Sequence, residues 1–249
     1  MYLLYLSLLL FIILFYFSYK DIQSSKSEKK DKSEKKDISE KNVIYNIPFR
    51  EPIYNEFPIY EIPNFLPNEL CDKLNEYQRT NENIVSRTFG TYLTGDSTKN
   101  RKWIVNDPHI RISYKVFLPK ELSDLIFPYI EKLMNISKEY IEPLKIVYYP
   151  TGGKFSAHYD VIPDDKSLMS WSRFMTMIIY INDDFEGGET EFPNVNKIVI
   201  PEKGKAVLFW VVRQTENGPE MLKDGIHQAN IVRKGEKRII NVWFHNRLL

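Results

Sequence analysis

The stretch LKIVYYPTGGKFSAHYD at residues 144–160, together with KRIINVWFH at residues 237–245, decides the fold class. Both are rich in β-branched and aromatic residues and are bounded by Gly, Pro or charged residues, the pattern of short strands rather than helices. The same pattern recurs between them. Strands are predicted at Leu144–Tyr149, Lys154–Asp160, Phe174–Ile181, Ile198–Ile200, Ala206–Val212, Ile226–Arg233 and Lys237–His245. That density of short strands predicts a β-sandwich or jelly roll. Upstream, apolar residues recur at helical spacing: Leu70, Leu74 and Tyr77 after Pro67, and Leu122, Leu125, Ile126, Ile130 and Leu133 after Pro119. They predict helices from Pro67 to about Gln78 and from Pro119 to about Ser137. The expected fold is therefore mainly β with flanking helices (α+β).

Further outward, residues 1–19 carry no charged side chain and are interrupted only by Ser7 and Ser18, which predicts a transmembrane signal anchor of about bilayer length. No basic region precedes it and no small-residue cleavage site precedes Lys20, so a cleaved signal peptide is the weaker reading. Residues 20–42 repeat KSEKKD and hold eight Lys against six acidic residues, a charged low-complexity linker that buries no core. The remainder has the length of one domain. With 34 basic against 33 acidic side chains the chain has a net charge of +1, and residues 43–249 sum to −1, which excludes a nucleic-acid reader driven by bulk charge. Cys71 is the single cysteine, so neither a disulfide framework nor a thiolate zinc site can form. Any metal must be held by His and carboxylates.

His158 and Asp160 form an H-x-D pair on a predicted strand, where residues two apart point to the same face. With His227 from a distant strand they would make two His and one carboxylate, the donor set of a non-haem Fe(II) site with open positions. Alone, H-x-D is a common chance pair with an ordinary structural explanation. On the last strand Lys237, Asn241, Trp243 and His245 share a face, while Ile240, Val242 and Phe244 share the other. An inward Lys needs an anion opposite it, and Thr176 and Tyr180 offer hydroxyls to the same ligand. Gly187 and Gly188 read as turn glycines rather than a phosphate cradle, His109 as structural or exposed, and Asn135 as the start of an N-x-S sequon.

In order along the chain, Tyr149, Gly152, Phe155, His158 and Asp160 fit YxxGxx(Y/F)xxHxD, and Arg173, Thr176, Tyr180 and Ile181 fit RxxTxxxYL. GGETEFP at 187–193, PEKG at 201–204, and His227 with Gly235 and Lys237 follow. Together these motifs resemble the catalytic domain of the prolyl 4-hydroxylases, within the 2-oxoglutarate and Fe(II)-dependent dioxygenases. The resemblance implies a double-stranded β-helix (jelly roll) core at 141–249, with 43–140 as its helical and strand support. It implies His158, Asp160 and His227 as iron ligands and Lys237 as the anchor of 2-oxoglutarate, helped by Tyr149, Thr176 or Tyr180. Arg87, Arg173, Trp243 and His245 would contact substrate. Fe(II), 2-oxoglutarate, O2 and L-ascorbate are the implied cofactors and cosubstrates, and a proline-containing peptide or protein, hydroxylated at C4 with release of succinate and CO2, is the implied partner.

Some positions depart from the family pattern: Phe155 where Tyr is frequent, Phe89 where Ser is expected within SRTFGTYL at 86–93, and Arg238 in place of a Trp. They bear on peptide specificity. The same chemistry on lysine or another amino acid, or a catalytically silent membrane-tethered binding protein, are the competing readings. A silent scaffold has no use for an inward Lys237. The family's anchored members imply an endoplasmic reticulum membrane location with a lumenal domain, whereas the Lys-rich flank after residue 19 favours a cytosolic one.

Overall fold

Helix α1 (Asn68–Thr80) starts after extended Pro67, and helix α2 (Lys120–Met134) starts after extended Pro119 and stops at Asn135, whose left-handed φ of 52° lets its N–H return to Glu131 O. Both agree with the sequence reading to within a turn. Their buried faces differ from it. On α2 the stripe is Leu122, Ile126, Ile130 and Met134, while Leu125 is exposed. On α1 the buried positions are Cys71, Leu74, Asn75 and Gln78, two of them polar. Those two fasten the helix to the barrel: Asn75 Nδ2 donates to Ile181 O at 2.7 Å, and Gln78 Oε1 accepts from Arg238 Nε. The computed structural model describes residues 57, 59–81, 84–85, 108–161, 172–246 and 248–249, all within a unit spanning Ile47–Leu249.

The strands are β1 (Ile59–Ile62), β2 (Ile84–Val85), β3 (Arg111–Ile112), β4 (Tyr114–Phe117), β5 (Lys145–Tyr149), β6 (Lys154–His158), β7 (Arg173–Tyr180), β8 (Glu186–Gly187), β9 (Thr190–Phe192), β10 (Lys197–Val199), β11 (Ala206–Trp210), β12 (Val212–Thr215), β13 (Gly218–Met221), β14 (His227–Ala229), β15 (Val232–Lys234) and β16 (Lys237–His245). One sheet has seven strands in the order β1-β11-β7-β16-β5-β4-β2, and the other has five in the order β10-β9-β14-β6-β3. Their inner faces share one core that includes Val147, Tyr149, Tyr180, Phe192, Phe209 and Ile239. This is the jelly roll expected from the strand pattern.

Register places the chemistry. On the larger sheet the inward rows run Trp243 beside Thr176, Asn241 between Ile178 and Lys145, Ile239 between Tyr180 and Val147, and Lys237 beside Tyr149. On the smaller sheet His227 lies directly opposite His158.

Several boundaries differ from the sequence reading. The predicted strand Ile226–Arg233 is two strands, β14 and β15, because Asn230 turns the chain to bond Glu189 O and pass from the smaller sheet to a separate pairing with β8. The predicted strand Ala206–Val212 breaks after Trp210, where Val211 N–H turns to Phe174 O. β6 ends at His158, so Asp160 lies just past the strand. The expected membrane location is corrected: among the described residues no helix is long and apolar enough to cross a membrane. Residues 1–19 and 20–42, read as anchor and linker, lie outside the described residues, as do Arg87 and Phe89.

Asn75→Ala should leave the buried Ile181 carbonyl without its side-chain donor and lower stability by about 1–3 kcal/mol. Urea denaturation checks this as a lower midpoint with an unchanged slope.

Candidate active site

Two imidazoles and one carboxylate meet between the sheets. His158, Asp160 and His227 each present a donor atom, and the three atoms lie within 4.8 Å of one another. β-Pairing brings the two His together, with ring centroids 4.3 Å apart. Each ring is oriented by its far nitrogen: His158 Nδ1 bonds Ser156 O at 2.9 Å and His227 Nδ1 bonds Gly225 O at 3.0 Å. With Nδ1–H donated to a carbonyl, the Nε2 lone pair of each ring points to Asp160, at 3.8 Å from its Oδ1 or Oδ2. That distance is too long for a hydrogen bond and suits three donors sharing one cation. Burial, then the neighbouring His227, lower the pKa of His158, so it stays neutral and ready to ligate. Burial alone would raise the pKa of Asp160, but the charge that His227 and His158 carry when protonated, the Thr176 hydroxyl and the Arg173 guanidinium outweigh it and lower it.

The surrounding residues fix these donors in place. Thr176 Oγ1, from the opposite sheet, donates to Asp160 Oδ2 at 2.6 Å. Arg173 Nη1 donates to Asp160 O at 2.8 Å, and its Nε donates to Glu142 Oε1 at 2.6 Å. Glu142 also meets His245 Nε2 at 2.8 Å, and His245 Nδ1 is 2.6 Å from Ser172 Oγ. On the other flank Phe155 stacks on His158 with ring centroids 3.5 Å apart, and the Arg111 guanidinium lies 4.1 Å over the same Phe ring. Arg111 Nε donates to Ser113 Oγ at 2.6 Å, and both residues hydrogen-bond the Tyr149 hydroxyl. Phe192 and Phe209 close the back of His227, with ring centroids 5.8 and 4.9 Å away.

Lys237 is wholly buried. Its Nζ donates to Gly188 O at 2.6 Å and lies 5.3 and 5.5 Å from the Tyr149 and Tyr180 ring centroids. It makes no ion pair among the described residues. Burial pushes its pKa down to about 7, with Glu189 the only charge pulling it back. Gly188 has φ 66°, and a Cβ there would lie 3.1 Å from Lys237 Cδ, so glycine is needed for the ammonium to reach the carbonyl.

Other expected site residues fall differently. Thr176 is committed to Asp160, and Tyr180 donates its hydroxyl to Thr190 at 2.7 Å, so neither hydroxyl is free for a cosubstrate. His245 has no exposed surface and bonds Glu142 and Ser172, which corrects its expected substrate contact to a supporting one. Arg173 and Trp243 stay beside the site: the guanidinium carbon lies 4.0 Å and Lys145 Nζ 3.6 Å from the Trp243 ring centroid. Arg238 points away from the site, joining Gln78, Glu236 and the Tyr148 ring. Arg111, Glu142 and Lys145 were not singled out in the sequence. Position is the signal they carry: Arg111 lies two residues from His109, Glu142 lies three residues before β5, and Lys145 opens it.

Residues 144–245 match the family model of the 2OG-Fe(II) oxygenase superfamily. A protein of Acanthamoeba polyphaga mimivirus provisionally named a prolyl 4-hydroxylase is 30% identical over 149 residues, covering 57% of this chain and 61% of its own length. Prolyl 4-hydroxylase 5 of Arabidopsis thaliana is 29% identical over 207 residues, covering 73% and 66% respectively. The crystal structure of a viral collagen prolyl hydroxylase from Paramecium bursaria Chlorella virus-1, in complex with 2OG, superposes with a TM-score of 0.54 at 24% identity over 74% of this chain and 94% of that one. The fold is thus shared with that structure. Residues 144–245 are similar to the 2OG-Fe(II) oxygenase superfamily. Within that superfamily its curated relatives are prolyl 4-hydroxylases, and it spans about two thirds of the length of the two named here. The family's requirements are Fe(II), 2-oxoglutarate and O2, with ascorbate typical of its prolyl hydroxylases, and the donor set at residues 158, 160 and 227 fits such an ion.

Thr176→Val keeps the shape and removes the donor to Asp160. It should weaken divalent-metal binding about 10–100-fold while the fold persists, as read by anaerobic titration with Mn(II) or Fe(II).

Proposed function

We propose that this protein is a 2-oxoglutarate and Fe(II)-dependent dioxygenase that hydroxylates proline at C4 in a peptide or protein. The observation that carries the reading is the pairing of a largely buried two-His, one-carboxylate cluster with a buried Lys237 that has no anion among the described residues. His158 and His227 would hold the metal through Nε2 and Asp160 through one carboxylate oxygen, leaving open positions on the side away from the protein donors. Fe(II) bound there supplies the O2 activation that couples decarboxylation of 2-oxoglutarate, giving succinate and CO2, to C–H hydroxylation.

The chain's own residues do the positioning. Lys237 neutralises the distal carboxylate of 2-oxoglutarate, in a wall where Tyr149 and Tyr180 exclude water. Tyr149 presents its ring to that ammonium, with its hydroxyl held by Arg111 and Ser113. Arg173 and Thr176 hold both ends of Asp160, its backbone carbonyl and its carboxylate. Trp243, on the same inward face as Lys237, carries Arg173 and Lys145 over its ring and so holds both cations on the wall that a peptide would meet. The names of the curated relatives favour proline over lysine as substrate.

His158→Ala, Asp160→Ala and His227→Ala should each abolish succinate formation with a proline-rich peptide panel, whereas His109→Ala should leave it near the wild-type rate. Coupled succinate release and addition of one oxygen atom to the peptide test the reaction. Full activity in any of the three site variants contradicts the assignment.

Lys237 also sets a pH dependence. Its pKa is depressed to about 7 without an anion, and a bound carboxylate would raise it. Affinity for 2-oxoglutarate should therefore be complete below pH 7 and fall as pH rises above it, with KM increasing by up to about tenfold per pH unit. Lys237→Arg, whose guanidinium stays protonated, should flatten that rise, and Lys237→Ala should raise KM by about tenfold to a hundredfold at neutral pH through loss of a charge-assisted bond.

A further inference from the structure

Lys145 lies on the inward face of β5, in register with Asn241 of β16 and Phe117 of β4. Its ammonium sits 3.6 Å from the centroid of the Trp243 indole, the ring that Arg173 also approaches to 4.0 Å. The two cations differ in their partners. Arg173 is engaged by Glu142 and by the Asp160 carbonyl, and Glu142 is in turn shared with His245. Lys145 makes no hydrogen bond and no ion pair among the described residues, yet it is half-buried and so remains reachable from solvent.

The electrostatics around it are lopsided. Burial pushes the Lys145 pKa down to about 8, and Arg173 and Lys115 push in the same direction against Glu142 and Asp160. At neutral pH it is nevertheless mostly protonated. A half-buried ammonium that makes no ion pair among the described residues gains from any anion that can reach it. The same strand face keeps Trp243 Nε1 and Asn241 Oδ1 buried without partners, further polar capacity on a wall beside the His158, Asp160 and His227 cluster.

The anchor for 2-oxoglutarate does not account for this cation. Lys145 pairs with Asn241, four positions along β16 from Lys237, which at about 3.3 Å per residue is roughly 13 Å of strand. A five-carbon diacid held between Lys237 and the metal does not extend to it. A peptide running past the edge of Trp243 would meet it.

We propose that Lys145, laid over Trp243, is a docking point for a carboxylate of the peptide substrate, so that this chain selects prolines flanked by an acidic residue or close to a free C-terminus. This rests on the peptide-oxygenase reading above. The indole fixes the ammonium by a cation–π contact, Arg173 adds positive potential without being displaced from Asp160, and the incoming carboxylate supplies a direct ion-pair partner.

The test uses the full chain and four otherwise identical proline peptides: internal Glu or Gln beside the proline, and C-terminal carboxylate or amide. The expected kcat/KM favours the Glu peptide over Gln, or the carboxylate over the amide, by about tenfold, and the arm that responds identifies the source of the carboxylate. Lys145→Gln should bring that ratio close to one, and Lys145→Arg, which keeps charge and stacking, should retain most of it. Anaerobic binding of labelled peptides, measured by fluorescence anisotropy with Mn(II) and 2-oxoglutarate present, reads the site independently of turnover. Tighter binding of an acidic peptide, lost in Lys145→Gln, upholds the carboxylate site even if no proline is oxidised, in which case only the oxidation reading falls. Equal binding of all four peptides, or a preference that survives Lys145→Gln, overturns it.

Discussion

The antiparallel pairing of β14 with β6, which sets His227 directly against His158, is the constraint on which the rest of the site depends. Two imidazoles from strands about seventy residues apart in sequence come within ring contact because β14 and β6 are neighbours in the smaller sheet in that register. A one-residue slip would turn one of them to the opposite face. The larger sheet supplies the complement. Thr176 reaches across to Asp160, and Arg173 on the same strand holds the Asp160 carbonyl, so the carboxylate just beyond β6 is fixed by residues of the facing wall. The metal-binding geometry is thus a property of two sheets held face to face by an aromatic and β-branched core.

Charge is distributed along the barrel in a way that apolar packing alone would not produce. Lys237 is buried at one end of β16 with only a carbonyl for company, and Lys145 stands unpaired farther along the same wall. Asp160, bonded to Thr176 on the facing wall, is ionised despite burial. Unpaired buried cations cost stability, so their retention makes sense when anions arrive with the ligands. We propose the distal end of 2-oxoglutarate as one anion and assign the other to the substrate. The network from Glu142 through Arg173 to Asp160 and His245 is fully hydrogen-bonded and serves a different end, fixing orientation where charge is already balanced.

Much of this was legible in the sequence because it rests on short-range pattern. Alternating β-branched and aromatic residues announced the strands, helical spacing announced α1 and α2, and H-x-D with a distant His and a following Lys announced the donor set. What was not legible depends on register and cross-sheet contact. Nothing in the chain around Glu142 or Arg111 signals that one clamps Arg173 and the other backs the Phe155–His158 stack. Nor does strand alternation register the bulge between Phe244 and His245, next to which the ring is buried against Glu142 and Ser172. Polar residues on the buried face of α1 were likewise invisible to a reading that sought apolar stripes, yet Asn75 and Gln78 are how that helix is joined to the barrel.

The central claim is that His158, Asp160 and His227 hold the metal while Lys237 receives a carboxylate of 2-oxoglutarate. A crystal structure of the protein grown anaerobically with Mn(II) and 2-oxoglutarate, with the metal located by its anomalous scattering, tests it most directly. The account predicts one metal peak within bonding distance of His158 Nε2, His227 Nε2 and an Asp160 oxygen, and one 2-oxoglutarate whose distal carboxylate lies within hydrogen-bond distance of Lys237 Nζ. A metal peak elsewhere, or a distal carboxylate held away from Lys237, would contradict it.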